Sequence, residues 1–427
     1  MQCAAHFSHD PQTQRFSLTY VKLMAQSLGI LCHITSLPRG LQDAERFLDF
    51  AKKFGANIWQ ILPITPPDEH ESPYASQSAF AAWDDLGSSS RTDMDCEQYW
   101  LNDWLLYQKL KEKFDNKPWY EWPQEYRDRD KIALENIEVD DSKQSKFMGR
   151  WNEIKKYSNS IGISLVGDLP IFLSHDSADV WAHRELFLLD KNGMPKVVAG
   201  VPPDYFSKKG QKWGTVLYNW EAHSKENWKW WRERIRRMMR LFDIVRIDHF
   251  RGFHSAWAVP FRNKTARNGK WLEGPKDELL KAIIEESGGP EKIIAEDLGI
   301  IPDEVTSMRK RHNLRGMRVL QFAFDDNNPN NPHRPENIET DNVVYTGTHD
   351  NDTTKGWWGQ KHRRQVVDLM KEGETICQTM IRLAKESRAE VAIIPLQDIM
   401  ELGSEARMNT PGTVGDNWNW RFSWDDL

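Results

Sequence analysis

The sequence of 427 residues contains only four cysteines, and their spacing gives them no shared role. Cys3, Cys32, Cys96 and Cys377 form no CxxC pair, which argues against a zinc site or a disulfide framework and fits a reducing compartment. The sequence also lacks any run of about 18 apolar residues, and its N-terminal stretch has no apolar signal core. We therefore expect a soluble cytoplasmic protein with no membrane partner.

An excess of positive charge is also absent. The chain has 57 Lys and Arg against 63 Asp and Glu, a net charge of -6 and a pI near 6.1, so it has no long-range attraction for a polyanion. We expect no nucleic-acid partner.

No HxH pair follows the first predicted strand, and no carboxylate-histidine set is spaced to bind a metal ion. This argues against a metal-dependent barrel hydrolase.

Tryptophan is unusually abundant, with 20 residues against 10 tyrosines. Because the indole is large and its N–H needs a partner when buried, we expect many of these side chains outside one compact core, where flat faces suit sugar rings. For Trp228 and Trp231, three residues apart on a predicted helix, core packing is the favoured interpretation. Trp230, Trp357 and Trp358 are candidates for surface or cleft positions.

Apolar strands and amphipathic helices alternate along the chain. Because buried strands that alternate with helices form parallel sheets, and eight such units close on themselves, we predict an α/β fold of the (β/α)8 or TIM-barrel type. An open doubly wound sheet is the alternative, but no glycine-rich phosphate loop follows any strand. The predicted strands are residues 29–37, 58–64, 163–173, 318–324 and 391–396, together with strands that begin at residues 243, 292 and 342. The predicted helices are residues 42–54, 145–160, 225–241, 275–287, 303–312 and 363–386.

Two long stretches interrupt this alternation. Residues 67–139 are polar and rich in Trp and Pro, and residues 174–219 contain Gly and Pro turns without regular periodicity. We expect residues 1–427 to form a single catalytic barrel, with 67–139 inserted between the second and third strands and 174–219 inserted after the third. Both insertions would cover the C-terminal face, where barrel enzymes carry their sites.

Three predicted strands end on an acid. Asp248 follows VRI, Glu296 follows KIIA, and Asp350 follows NVVYTGTH. The carboxyl ends of barrel strands meet at one mouth, and a carboxylate buried there is costly unless it is partnered or used. Transfer of a sugar uses two carboxyl groups on either side of the glycosidic bond, one ionised and one protonated.

The neighbours of these acids suggest their roles. Arg246 lies on the same strand face as Asp248 and would hold it ionised, which makes Asp248 the predicted nucleophile. Glu296 has an apolar approach and no adjacent cation, so we predict a raised pKa and a general-acid role. Asp297 would point the other way, as a helper or structural cap. His349, beside the third acid, could donate to a sugar hydroxyl or be structural.

These residues lie in motifs that resemble glycoside hydrolase family 77 of the α-amylase clan, the 4-alpha-glucanotransferases called amylomaltase or disproportionating enzyme. The similarity is specific and extends over nearly the whole chain. The matching segments are HITSLP (33–38), WQILPI (59–64), SPYASQSAF (72–80), GDLPIF (167–172), HDSADVW (175–181), GVPPDYFSKKGQKWG (200–214), VRIDHFRGF (245–253), IIAEDLG (293–299), MRVLQFAF (317–324), YTGTHDNDTT (345–354) and SEARMNTPGT (404–413).

The resemblance implies transfer of an α-1,4-glucan segment between maltooligosaccharides or glucans, with retention through a covalent glucosyl-enzyme and with no cofactor or metal. A plain α-1,4-glucan hydrolase on the same site is the alternative, and a non-catalytic glycan-binding protein would have lost the acids. The matched positions are Asp248 as nucleophile, Glu296 as general acid/base, Asp350 as transition-state stabiliser, Arg246 and His349 beside the cleaved sugar, and Tyr74, Asp168, Trp213 and Asn417 along the donor and acceptor subsites.

The chain departs from the family pattern at its rim. The Gly-rich loop that usually follows HxTSLP is missing after Pro38, Thr215 and Val216 replace the usual Asn-Pro, and Asp416 replaces the usual Gly before Asn417. We expect these changes to affect the preferred chain length and to leave the chemistry intact.

Overall fold

The computed structural model describes residues 26–68, 71–203, 207–360, 364–413 and 415–427. Strands and helices alternate along most of this length. The strands are β1 (Ser27–Leu31), β2 (Ile58–Gln60), β3 (Ser164–Pro170), β4 (Val197–Val201), β5 (Gln211–Val216), β6 (Ile244–Asp248), β7 (Ser255–Pro260), β8 (Lys270–Glu273), β9 (Ile293–Ala295), β10 (Gly316–Val319), β11 (Asn342–Tyr345) and β12 (Val391–Pro395). The α-helices are Ala44–Phe54, Gln98–Lys113, Gln124–Arg127, Lys131–Glu135, Ser142–Ser160, Ala178–Ala182, Trp220–Lys225, Lys229–Leu241, Lys276–Ser287, Asp303–Arg311, Thr354–Gln360, Arg364–Val367, Ile376–Glu386 and Leu396–Ile399.

Eight parallel strands form the barrel, which confirms the predicted fold. Their order is β10-β11-β12-β1-β2-β3-β6-β9. The ring closes through a parallel bridge between Ile294 and Arg315, where the N–H of Ala295 donates to the carbonyl of Arg315 at 2.8 Å. The central strands are buried along most of their length because helices cover the outside of the ring and side chains fill the inside.

The helices follow from local sequence. Helix Ala44–Phe54 buries Ala44, Phe47, Leu48 and Ala51, the spacing of one helical face, and it ends at Gly55, whose φ of 90° lies in the left-handed region. Helix Ile376–Glu386 begins with a capping box between Thr375 and Gln378.

Several predicted elements differ from the structure. The predicted strand 29–37 ends at Leu31 and is followed by a 3-10 helix, Ile34–Ser36, and the predicted strand 58–64 ends at Gln60. The predicted helix 225–241 begins at Lys229. The sixth barrel strand ends at Val319 rather than 324, because residues Leu320–Phe324 turn into a 3-10 helix. The predicted helix 363–386 is two helices, Arg364–Val367 and Ile376–Glu386, separated by a turn in which Gly373 has a φ of 82°. Residues 361–363, at the predicted start of that helix, lie outside the described residues.

A second sheet lies apart from the barrel strands. It is antiparallel, in the order β5-β4-β7-β8, and it joins two strands of the segment 174–219 to two strands that follow β6. The turn-rich composition of 174–219 did not predict these strands. β4 pairs with β7, which lies more than 40 residues away in the sequence, as in the pair of Val197 with Pro260.

The tryptophans are mostly core residues, so the expectation that many lie outside it is wrong. Trp228 and Trp231 are buried, which confirms the packing interpretation, and Trp230 and Trp357 are buried with them. Trp213 is among the few with substantial exposure, at 38 %.

Among the described residues, no helix is both long enough and apolar enough to cross a membrane.

Candidate active site

The register of the barrel strands places the predicted residues side by side. In the pairing of β3 with β6, Asp168 lies opposite Arg246 and Pro170 lies opposite Asp248. In the pairing of β6 with β9, Ile247 lies opposite Ala295, so Glu296 follows at the same end of the barrel. The parallel register therefore brings together acids that are far apart in the sequence.

Arg246 links two carboxylates at the bottom of this site. Its Nη1 contacts both oxygens of Asp168, at 2.7 and 2.6 Å, and its Nη2 lies 3.0 Å from Oδ1 of Asp248. The hydroxyl of Tyr74 donates to Asp168 Oδ2 at 2.7 Å. Since Asp168 and Arg246 are both nearly fully buried, this pair is a fixed part of the floor, and Asp248, 29 % exposed, projects from it towards solvent.

Glu296 is held by two backbone donors. Its Oε2 accepts from the N–H of His249 at 2.7 Å, and its Oε1 accepts from the N–H of Leu298 at 3.0 Å. His249 is the residue next to Asp248 and has a φ of 52°, a left-handed conformation that is uncommon for a residue with a side chain. The turn that begins at Asp248 therefore also fixes the carboxyl group of Glu296.

Burial raises the pKa of Glu296, as predicted, against the opposing effects of Arg246 and the two backbone N–H donors. Burial also raises the pKa of Asp248, to about 8, with Asp168, Glu296 and Asp350 acting in the same direction and Arg246 opposing them. Arg246 lowers the pKa of Asp248, as predicted, but burial raises it by more. The prediction that Arg246 keeps Asp248 ionised is therefore wrong. The two carboxyl groups titrate as an interacting pair that retains a proton at neutral pH.

Asp350 lies at the exposed side of the site. Its side chain is 47 % exposed, and Oδ1 accepts from Nδ2 of Asn409 at 2.6 Å, with Nε2 of His349 at 3.3 Å. Burial lowers the pKa of His349, although Asp350 opposes this shift, so the imidazole is neutral at pH 7. It can donate a hydrogen bond from one ring nitrogen only.

Aromatic rings form two walls of the site. The ring of Tyr74 stacks on His349 with centroids 5.0 Å apart, and Trp418 lies against both. On the other side, Trp213 packs edge to face on His249 with centroids 4.8 Å apart. Flat apolar surfaces beside carboxylates suit the faces and hydroxyls of a sugar ring.

Most of these groups line one open cleft with a volume of ≈ 330 Å³. Tyr74, Asp248, His349, Asp350 and Trp213 are among its lining residues, whereas Arg246 and Asp168 lie beneath it. The remaining lining residues are Ser72, Ala75, Pro170, Ile171, Phe172, Gln211, Thr215, His249, Asn409, Pro411, Gly412 and Trp418.

Three more predicted site residues, Glu296, Asp297 and Asn417, are also not among the residues that line the cleft. Asp297 is buried, and its oxygens contact the N–H of Met317 at 2.7 Å and the guanidinium groups of Arg309 and Arg318 at 3.2 and 3.3 Å. Asn417 borders an adjoining depression, where its Oδ1 accepts from the N–H of Thr410 at 2.9 Å.

The sequence departures occupy three places in the structure. Thr215 lines the cleft. After Pro38 the chain turns directly into a short 3-10 helix, Gly40–Asp43, secured by an ion pair of 2.6 Å between Arg39 and Asp43. Asp416 has a φ of 55°, the left-handed region that glycine adopts without strain, which explains why glycine is usual at this position.

Three residues of the site were not singled out from the sequence: His249, Arg407 and Asn409. His249 lies in the motif VRIDHFRGF, and the other two lie in SEARMNTPGT, so the motifs contained the signal although no role was assigned to these positions. Within the described ranges, no group of three or more His, Cys, Asp or Glu side chains is arranged to hold a metal ion.

Comparison with known proteins agrees with this geometry. The sequence model of the family described as 4-alpha-glucanotransferase, glycoside hydrolase family 77, matches residues 32–86 and 88–425. The chain belongs to this family. Family 77 proteins similar to it include the 4-alpha-glucanotransferase of Aquifex aeolicus, 39 % identical over 93 % of this chain and 95 % of that protein, and that of Thermus thermophilus, 37 % identical over 93 % and 95 %.

A solved family 77 structure is similar in fold as well as sequence. It is an amylomaltase from Streptococcus agalactiae in complex with acarbose, 31 % identical to this chain, with a TM-score of 0.87 over 94 % of this chain and 96 % of that one. Membership of family 77 makes the chain an enzyme, a 4-alpha-glucanotransferase.

Proposed function

We propose that this family 77 enzyme transfers an α-1,4-glucan segment from one maltooligosaccharide or glucan to the 4-hydroxyl of another sugar, in two displacements carried out by Asp248 and Glu296. The observation that carries the proposal is the turn after β6, which presents Asp248 to the cleft while the N–H of His249 holds Glu296 beside it. One ionised and one protonated carboxyl group are what a retaining mechanism requires.

In the first displacement, Glu296 donates its proton to the leaving 4-oxygen while Asp248 attacks the anomeric carbon, giving a β-linked glucosyl-enzyme. The reactive form of the pair has its proton on Glu296 and the negative charge on Asp248. Arg246, 3.0 Å from Asp248, favours this distribution because it stabilises the ionised form of the group that it contacts.

In the second displacement, Glu296 accepts the proton of an incoming 4-hydroxyl, and that oxygen attacks the glucosyl-enzyme to restore an α-1,4 bond. Asp350 stabilises the positive charge that develops on the sugar in both transition states, and neutral His349 donates to a sugar hydroxyl beside it. Asp168 and Tyr74 keep Arg246 in place. Asp297, bound by Arg309 and Arg318, positions the backbone that carries Glu296.

Transfer rather than hydrolysis requires that a sugar displaces water from the acceptor side. We assign that task to Trp213, whose ring is 38 % exposed beside His249 at the edge of the cleft. We place Asn417 at the outer end of the donor chain, beside the loop that contains Pro411 and Gly412. Hydrolysis as the main activity is not favoured, because the relatives named above are transferases.

We further propose that residues 1–427 act as a single catalytic barrel in which the insertions 67–139 and 174–219 shape the substrate cleft. Tyr74 and Ser72 of the first, and Gln211, Trp213 and Thr215 of the second, support this because they line the cleft. Maltose-derived oligomers, starch and glycogen would supply chains of the required type, in a cytoplasmic location that the scattered cysteines favour. The net charge of -6 argues against a nucleic-acid partner, because it provides no long-range attraction for a polyanion.

Incubation with maltotriose, followed by separation of the products, tests the proposal. A transferase produces glucose together with oligomers longer than maltotriose, whereas a hydrolase produces only shorter sugars. Asp248→Asn should abolish both products while leaving maltotriose binding measurable by calorimetry, and Asp368→Asn, an exposed substitution of the same kind, should leave activity intact. Turnover by Asp248→Asn would contradict the assignment of the nucleophile.

A further inference from the structure

We infer that Asn409 is a positioning residue for the transfer reaction, which orients the carboxylate of Asp350 so that its second oxygen, Oδ2, is presented to the bound sugar. The inference rests on the role proposed above for Asp350 and extends it to a residue 59 positions away in the sequence.

The contacts of the Asp350 side chain are concentrated on one oxygen. Oδ1 accepts from Nδ2 of Asn409 at 2.6 Å and lies 3.3 Å from Nε2 of His349. Within the described part of the chain, the hydrogen bond from Asn409 and the closest contact of His349 therefore both fall on Oδ1. Oδ2 keeps its lone pairs for hydroxyls of a sugar in the cleft that Asp350 lines.

Backbone contacts fix the two loops that carry these side chains. The N–H of Asn409 donates to the carbonyl of His349 at 3.0 Å. Arg407 donates from Nη2 to the carbonyl of Asp350 at 2.6 Å and from Nε to the carbonyl of Asn409 at 2.7 Å. Because these three bonds fix both backbones, the amide of Asn409 reaches Asp350 from a defined direction.

Asp350 needs such support because its side chain is half exposed. An aspartate at a cleft edge can rotate, whereas stabilisation of a developing charge requires an oxygen held in one place. An amide suits this purpose because it donates a hydrogen bond without cancelling the negative charge. A lysine or arginine in its place would neutralise the carboxylate that the transition state needs.

The test compares four enzymes by the steady-state kinetics of maltotriose transfer. Asn409→Ala should lower kcat between about tenfold and about a hundredfold while KM stays within about twofold, because the interaction acts in the transition state. Asn409→Asp keeps the shape of the side chain but replaces the N–H donor by a second negative charge beside Asp350, so its kcat should fall by at least as much. The matched control is Ser404→Ala: Ser404 donates to Asp352 Oδ2 at 2.8 Å and so links the same two loops without touching Asp350.

A purely structural role would give the opposite order, with Asn409→Asp milder than Asn409→Ala and with Ser404→Ala affected to a similar extent. That order, or an unchanged kcat in Asn409→Ala, would overturn the inference. Thermal unfolding of each variant checks its folding, and if Asn409→Ala does not fold, Asn409→Asp carries the comparison.

A double-mutant cycle separates positioning from direct binding. Rates are measured with maltosyl fluoride as donor, because its leaving group needs no general acid and slow variants remain measurable. In an Asp350→Asn background, Asn409→Ala should lower the rate by less than about twofold. A tenfold lower rate in that background would mean that Asn409 acts on the sugar itself and would overturn the inference. If Asp350→Asn alone keeps full activity, the role proposed for Asp350 fails instead, which is a different outcome.

Discussion

Replacing Arg246 by methionine should affect stability and catalysis through two different contacts. The guanidinium neutralises Asp168, whose side chain has no exposed surface, and it also lies 3.0 Å from the predicted nucleophile, Asp248. Arg246→Met keeps much of the apolar stem and removes the charge. It leaves one buried carboxylate without its cation and takes from Asp248 the group that lowers its pKa.

The size of each effect follows from burial. Breaking a buried ion pair by removing one partner costs about 3–5 kcal/mol of unfolding free energy, because the remaining charge stays out of water. Asp168 is fully buried, so we expect the upper part of that range. Loss of the cation raises the pKa of Asp248 further, so less of it is ionised at any given pH. The acid limb of the pH–rate profile should therefore move to higher pH, and kcat at neutral pH should fall by about two orders of magnitude.

Asp168→Asn combined with Arg246→Met separates the two effects. The double variant no longer buries a lone charge, so it should regain at least about 2 kcal/mol of the lost stability, measured by denaturant unfolding. It should not regain activity, measured as glucose released from maltotriose, because Asp248 still lacks its cation. A double variant with near-normal kcat, or an Arg246→Met variant as stable as the wild type, would refute this reasoning.

Three further outcomes are expected. Because Asp248 and Glu296 together retain a proton until about pH 8, the rate of transfer should decline above that pH. If kcat/KM instead declined with a midpoint below about pH 6, the two carboxyl groups would not titrate as an interacting pair. Trp213→Ala should raise the ratio of hydrolysis to transfer several-fold in the maltotriose product assay, whereas an unchanged ratio would remove the acceptor role assigned to this ring. Gly167→Ala should destabilise the barrel by about 1–3 kcal/mol in thermal unfolding because the added Cβ would lie 2.2 Å from the ring of Phe242. The control Gly359→Ala, in helix Thr354–Gln360 and with none of the described residues outside its own helix within 4 Å of the added Cβ, should not destabilise the protein.

The barrel could be predicted from the sequence because its strands are buried runs between amphipathic helices, a pattern that is local. The end of β10 could not, since LQFAF is as apolar as the strand that it continues and only the structure shows the 3-10 turn. The second sheet was missed for a related reason. Its strands pair across distant segments, as Gly200 with Trp257, and strands this short carry little periodicity of their own.

The site was predictable to the extent that each residue ends a strand. Asp248 and Glu296 met this condition, and the parallel register brought them together. The pKa of Asp248 was misjudged because a neighbouring arginine is visible in the sequence, whereas burial and the charges of other strands are not. Asn409 is separated from Asp350 by 59 residues and a complete helix–strand unit, so only the folded barrel reveals the contact.

The hydrogen bond from the backbone of His249 to Glu296 has a consequence for how such an enzyme can change. Asp248 and Glu296, the proposed nucleophile and acid/base group, are joined through one turn of main chain, so their spacing should not depend on the loops that border the cleft. Changes in the residues that border the cleft, such as the substitution at Thr215, can then alter which sugars fit while the reacting groups keep their separation. Substrate range and reaction chemistry should therefore be separable by loop exchange in this scaffold.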